Sequence, residues 1–548
     1  MNEMDGLLRS ASGAEAAVHI PPPSVEWAAL LPLLILLVGG LLMLTVSSFL
    51  RPRVSRRFYP WATVVLAIAA AISVVPVWAR VQGWNAIMWI DVTHSQTGPF
   101  STIAGAVGVD GFGLFVTVVL CAGVALAALI APSYLRREEM EGPSFYVLLL
   151  LSASGGVIIA MANDLIVLFI GIETLSIAVY VLTGMNLRRA QSQESGLKYF
   201  LLGGFSSAFL LYGIAMLYGA TGSTNFIAIR DFMAAVVPVH NGLLLIGLAL
   251  VLVGLAFKIG AVPFHTWSPD VYDGAPSPSV VWMAAGVKAA AAAAFVRVFM
   301  LAFSNYADTW KPMIYAIAIL SMVIGAALAI VQSNVKRMLA YSSISHAGFI
   351  LMAIEANTNY GVSAVLFYIA VYTFMVAGSF GVVALVSNGD RANQLSDYRG
   401  LVRRSPFLAV VLLTLLLGQA GIPFTAGFFA KLYAITAAAD AHALPLALIG
   451  MISAVISAFL YLRIIVAMFA GSDDGDDGAE VPRRDRIRVP AAAGLALTVC
   501  AAVTILFGLF PDVLVTPSRS GTPAIVALDT PTVTSMSGSL DPSAATGR

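Results

Sequence analysis

Charge is scarce in this sequence. Acidic and basic residues make up 11% of its 548 positions, against roughly a quarter in an ordinary soluble domain, and a fully water-facing globular surface is excluded. Thirty basic residues against 29 acidic ones leave a net charge of +1, without the basic face that nucleic acid requires. Cysteine is scarcer still. Cys121 and Cys500 lie far apart in apolar runs; two such thiols exclude a C-x-x-C pair, a haem attachment motif or a thiolate-held iron–sulfur cluster. The opening residues, MNEMDGLLRS, lack a basic stretch followed by a short apolar core, so no cleaved signal peptide is expected. Lysine is rare too, with six lysines beside twenty-four arginines.

What fills the chain is long apolar runs. Hydrophobic residues account for 59% of it, and runs of ~20 residues are long enough to cross a bilayer as helices. The reading is an all-α polytopic membrane protein with fourteen transmembrane spans: 27–49, 60–81, 111–132, 144–162, 164–183, 197–219, 242–262, 275–302, 312–332, 338–356, 360–387, 405–434, 446–470 and 489–510. Residues 1–26 form a polar, proline-punctuated tail, 27–510 the membrane domain, and 511–548 a Ser/Thr/Pro/Gly-rich tail expected to be poorly ordered. Residues 82–110 read as mixed, with a short hairpin, and the charged stretch 472–488 as a solvated connector.

The basic residues orient the spans. Loops after odd-numbered spans hold eighteen of the thirty, the opposite side with both tails holds six, and six lie in or at the edge of spans. The positive-inside bias therefore puts both termini outside. Four of the six lysines are among those in spans. Arginine keeps its proton in effectively every protein setting, whereas a buried lysine can release it.

The centre of the pattern is FKIGAVPFHTWSPDVYDGAPSPSVVWMAAGVK, from Phe257 to Lys288. It sets Lys258 and Lys288 in apolar surroundings and places Pro263 between them, where proline removes the helix bond to the carbonyl of Ile259 and breaks or kinks the helix. Ionisable groups in hydrocarbon are costly and mark ion pathways. GAVPF (260–264) is echoed by AGIPF (420–424), five spans later, each with a lysine nearby, Lys258 and Lys431. Five is odd, so the echo implies inverted repeats with breaks at equivalent places.

The candidate proton-transfer residues are Glu173, Lys258, Lys288 and Lys431. Glu173 and Lys288 lie mid-span; a structural ion pair is the plainer alternative for each, and for Glu173 also a protonated, hydrogen-bonded glutamic acid. Lys258 and Lys431 lie nearer span ends, where snorkelling is the alternative. Secondary candidates are Lys198, at the start of its span, His265, after the break, and Tyr341 and His346, in YSSISHAGFIL. Histidine titrates near neutrality, but a hydrogen-bonded core histidine fits equally well. Arg297 and Arg463 read as interfacial anchors or fixed countercharges. His19, His94, His240 and His442 form no metal-like cluster.

With NVKRMLAYSSISHAGFIL (334–351) and GIPFTAGFFAKLY (421–433), the central stretch resembles the antiporter-like subunits of proton-pumping NADH:quinone oxidoreductase, respiratory complex I. The loop PDVYDGAPSP, Lys288 where the sibling L and M subunits more often carry histidine, and the absence of a long lateral helix after span fourteen resemble subunit N. The match covers roughly residues 110–470. It implies inverted five-helix repeats at about 144–302 and 312–470, with discontinuous helices 7 and 12. It implies a Glu173–Lys258 modulating pair, Lys288 as central relay and Lys431 as terminal exchange residue, and it matches Lys198, His265 and Tyr341 as well. It further implies a bacterial inner-membrane protein with no cofactor of its own, while NADH, FMN, iron–sulfur clusters and quinone reside on partner subunits: other membrane subunits and the peripheral dehydrogenase arm. The alternative is an Mrp-type cation/proton antiporter subunit.

Overall fold

The computed structural model describes residues 25–49, 55–84, 86–87, 90–91, 97–235, 242–387, 389–470 and 486–521. Most of the polar tails, and the acidic stretch 472–480, lie outside them. The helices are α1 (Trp27–Phe49), α2 (Phe58–Gln82), α3 (Gly111–Arg137), α4 (Ser144–Met161), α5 (Leu165–Gly184), α6 (Ala190–Thr221), α7 (Phe226–Ala235), α8 (Gly242–Ile259), α9 (Trp267–Gly274) and α10 (Ser277–Ala302). After a short 3-10 turn come α11 (Ala307–Ile330), α12 (Val335–Glu355), α13 (Asn359–Val386), α14 (Leu401–Arg404), α15 (Pro406–Ala420), α16 (Ala426–Asp440), α17 (Leu444–Phe469), α18 (Ala491–Leu509) and α19 (Asp512–Gly521). Among the described residues, thirteen helices are long and apolar enough to cross a membrane.

Side chains set many of the helix starts. Asp110, Asp164, Asn334 and Thr358 each accept a bond from a first-turn backbone N–H of α3, α5, α12 and α13, as helix N-caps do. Between α2 and α3 lie two small antiparallel hairpins, Ala86–Ile87 with Ile90–Asp91 and Phe100–Thr102 with Val107–Val109. The second is stitched to its neighbours: Asn163 donates to the carbonyl of Gly105, and Phe226 N–H to that of Asn163.

Helix α10 lies at the centre, buried along its whole length, with α12 and α13 nearly so. The outer helices turn apolar side chains outward, among them Leu42, Val65, Ile72, Phe205 and Val455. This arrangement suits a lipid surround rather than water.

The structure departs from the sequence reading in three places and meets it in a fourth. The predicted seventh span, 242–262, ends at Ile259, because Gly260 takes φ +77°, a left-handed conformation open to glycine. The discontinuity expected in the twelfth span, 405–434, is present: α15 stops at Ala420 with Gly421 at φ +85°, and α16 begins at Ala426. The connector after span six contains an additional helix, α7. The segment 512–521 is not an unstructured tail but helix α19, which buries Leu514, Val515, Ser518 and Gly521. Its spacing of apolar and small residues puts one face against α3 and α13, and that packing outweighs poor intrinsic propensity.

Candidate functional site: a line of buried lysines

Breaking α8 inside the apolar layer exposes backbone carbonyls that need partners. They are supplied locally. The carbonyl of Phe257 accepts from Gly260 N–H at 3.1 Å and from the Trp267 indole at 3.0 Å; the carbonyl of Ala256 accepts from Ala261 N–H at 2.8 Å. Lys258 sits in this last turn, where the helix dipole favours a cation. It does not snorkel: the side chain is buried, its Nζ donates to Ser176 Oγ on α5 at 2.6 Å, and it lies 5.7 and 5.8 Å from the Tyr180 and Tyr199 ring centroids. Tyr199 in turn stacks on Trp267 at 4.4 Å, closing an aromatic cage around the amine.

Glu173, half-buried on α5, accepts from the Ser207 hydroxyl on α6. The expected Glu173–Lys258 ion pair is not formed; Ser176, one turn along α5, holds the lysine instead.

Lys288 follows a π-helical segment of α10, Met283–Val287. Such local widenings often occur at functional positions. Here the Trp282 ring lies over Gly286, where a Cβ would come within 2.1 Å of it, and its indole donates to Ser152 Oγ at 2.8 Å. The Lys288 ammonium donates to both the hydroxyl and the carbonyl of Ser343 on α12. Lys431 on α16 donates at 2.9 Å to the carbonyl of Ala420, the last residue of α15, and lies 5.4 Å from the Phe349 ring centroid. All three lysines are bonded to neutral oxygens. Among the described residues no carboxylate lies within ion-pair distance of any of them.

The secondary candidates divide. His346 is buried on α12, with Nδ1 2.6 Å from Tyr368 Oη and Nε2 3.0 Å from Tyr461 Oη. Lys198 stands outside the line, at the rim of an open polar cavity of about 340 Å³, paired with Glu194 and Asp270. His265 is half-buried beyond the break and Tyr341 half-buried on α12; neither joins the bonds described above.

Residues 162–457 match the family described as NADH:quinone oxidoreductase/Mrp antiporter, TM. NADH-quinone oxidoreductase subunit N of Trichlorobacter lovleyi is 37% identical over 88% of this chain and 94% of its own; that of Parafrankia sp. is 38% identical over 92% and 97%. The chain belongs to the subunit N family of NADH-quinone oxidoreductase. A chain of respiratory complex I from Thermus thermophilus superposes with a TM-score of 0.73 at 30% identity, covering 89% of this chain and all of that one. A chain of the Mrp complex from Dietzia sp. shares the fold, with a TM-score of 0.76 at 20% identity over 93% and 98%.

Within this subunit N relative, sequence reasoning missed two buried ionic clusters. Lys336, counted as a loop cation, is fully buried and bonds Asp390 at 3.2 Å and the carbonyl of Ala275 at 2.8 Å. Asp390 also accepts from Ser277 and pairs with Arg189 at 3.2 Å. Of the two readings of Arg297, the fixed countercharge holds and the interfacial anchor does not: it grips Asp110 with two bonds, 2.6 and 2.8 Å, and the carbonyl of Ala160. The scarcity of lysine was a signal for Lys336. No comparable signal pointed to Asp110 or Asp390, or to Tyr461 and Tyr368. Among the described residues no group of three His, Cys, Asp or Glu side chains is placed to hold a metal ion.

Proposed function

We propose that this chain is a proton-conducting subunit of NADH-quinone oxidoreductase, in which Glu173, Lys258, Lys288 and Lys431 carry protons along the membrane interior. NADH oxidation and quinone reduction, with FMN and iron–sulfur clusters, belong to partner subunits in this reading. One observation carries it: three buried amines held only by neutral oxygens, two of them, Lys258 and Lys431, beside helix breaks. An amine so held can surrender its proton without stranding a buried anion, unlike Lys336 or Arg297, whose carboxylate partners would be left unpaired.

A charge change in a neighbouring subunit alters the field at Glu173. That shifts the balance between charged and neutral Lys258, one pKa unit being worth ~1.4 kcal/mol. The proton passes to Lys288, then to Lys431, and leaves on the outer side. Because the sites interact, they titrate as a set.

The test is Lys258→Ala and Lys258→Arg in the assembled complex, with proton flux measured per NADH oxidised in membrane vesicles. Both variants are expected to lose flux, since arginine cannot discharge. Full pumping by either removes Lys258 from the mechanism. Flux that requires sodium and proceeds without NADH would instead support a cation/proton antiporter.

A further inference from the structure

We propose that a cavity between the start of α11 and the end of α12 binds a phospholipid headgroup that carries a primary ammonium and a phosphate, as phosphatidylethanolamine does. The cavity is open, measures about 400 Å³, and is lined by Asp308, Lys311, Pro312, Tyr315 and Glu355. Lys258, Lys288 and Lys431 take no part in it. It lies at the ends of two helices long and apolar enough to cross a membrane, the level at which an apolar span meets the headgroup layer.

Glu355 calls for a cation. Its side chain is 6% exposed and stands at the C-terminal end of α12, where the helix dipole adds negative potential to that of the carboxylate. Lys311 Nζ lies 3.7 Å from Oε1, outside hydrogen-bond range. Oε2 is buried and has no partner among the described residues, which is costly for a charged oxygen. Proline adds a second acceptor. Pro312, inside α11, has no N–H to offer the carbonyl of Asp308 four residues earlier. The exposed Asp308 carboxylate supplies a third. Three acceptors match the three N–H groups of a primary ammonium.

Lys311 decides against a bare metal ion. Its ammonium stands among the acceptors, where it repels a metal cation and attracts a phosphate. The volume also exceeds what one ion needs: at ~30 Å³ each it holds about a dozen waters. The surface next to the cavity decides for a lipid over a free zwitterion. Asp308 and Pro312 are four residues apart on one face of α11, and that face continues toward the helix middle as an exposed apolar stripe, Ala316, Leu320, Val323 and Ala327, against which acyl chains can lie. Tyr315, half-buried in the cavity wall, is the kind of aromatic enriched at headgroup depth. The Trp310 indole donates to the carbonyl of Phe303 at 2.9 Å, which ties this end of α11 to the end of α10. With the lipid bound, its ammonium takes the oxygens of Glu355 and Asp308, and Lys311 turns to the phosphate.

The test uses the assembled, detergent-extracted complex and phosphatidylethanolamine carrying a photoreactive diazirine in one acyl chain. After illumination, labelled peptides of this chain are mapped by mass spectrometry, and label is expected on α11 between Pro312 and Ala327. Unlabelled phosphatidylethanolamine should compete the label away. Phosphatidylcholine, charged but without an ammonium N–H, and phosphatidylglycerol, without an ammonium, should compete about tenfold less well. No label on α11, or equal competition by the three lipids, overturns the proposal. Loss of label to calcium chloride but not to unlabelled phosphatidylethanolamine makes the cavity a metal site and overturns it too, and loss to free phosphoethanolamine as readily as to the lipid makes the ligand a soluble one. Glu355→Gln should shrink the preference for phosphatidylethanolamine over phosphatidylcholine by about tenfold; an unchanged preference overturns the proposal. Should that variant fail to assemble, Asp308→Asn, at an exposed position, must narrow the preference likewise, and an unchanged preference there has the same force.

Discussion

A cation buried beside a carboxylate and a cation buried beside neutral oxygens obey different rules, and this chain holds both kinds. Removing one partner of a buried ion pair strands the other, at a cost of about 3–5 kcal/mol. Asp390→Asn should therefore lower the thermal stability of the detergent-extracted complex, whereas Lys288→Met should leave stability near the parent value and abolish proton flux. Burial opposes ionisation of Asp390, yet Lys336, Ser277, Tyr134 and Arg189 outweigh it and hold its carboxyl below the ordinary value. The stabilisation is thus complete above the usual carboxylate range and is lost as pH falls through the lower folded value. Unfolding measured against pH should show this acid loss in the parent and not in Asp390→Asn. Lys258, Lys288 and Lys431 were legible in the sequence because each interrupts an apolar run. Lysine's scarcity marked Lys336 but not its burial: it follows Gln332, Ser333 and Asn334, a polar stretch that reads as a connector, and only its distant partner Asp390 reveals that it is buried.

At the scale of elements, the breaks in α8 and between α15 and α16 decide where Lys258 and Lys431 stand. Proline and glycine advertised both breaks in the sequence, but their positions were set by Gly260 and Gly421 in left-handed conformations rather than by the prolines. Helix α19 was illegible for the opposite reason. Its Ser, Thr and Pro content favours a loop, and only packing on α3, with Gly521 against Gly111, makes it a helix. Close helix approach gives a discriminating experiment. A Cβ on Gly427 would stand 1.8 Å from the Gly418 carbonyl oxygen, so Gly427→Ala must push α16 off α15 and carry Lys431 away from Ala420. A Cβ on Gly155 would meet the Leu175 backbone nitrogen at 2.4 Å, at the crossing of α4 and α5. Both changes should cost about 1–3 kcal/mol, as overpacking does. Only Gly427→Ala should lower protons moved per NADH in the complexes that still assemble; equal stoichiometry in the two variants would detach α16 placement from pumping.

For the molecule as a whole, the side of the membrane each end occupies follows from charge alone, because helix packing has no inside or outside. Eighteen basic residues in the loops after odd-numbered spans, against six on the other side, predict that the 472–488 connector faces the cytoplasm and both termini face out. A common side for the two ends also requires an even number of crossings, which the thirteen long helices reach only if α15 and α16 together make one more. The two native cysteines are buried, Cys121 at 2% exposed and Cys500 at 0%, so the parent protein should be silent to a membrane-impermeant maleimide. Single cysteines introduced as Ser10→Cys, Ser472→Cys and Ser543→Cys then report position one at a time. Ser472→Cys should label only in inside-out vesicles, and Ser10→Cys and Ser543→Cys only in intact cells. Labelling of the two terminal variants from opposite sides would make the number of crossings odd, and the broken α15–α16 pair would then enter and leave by the same face, so that Lys431 could not discharge protons on the outer side.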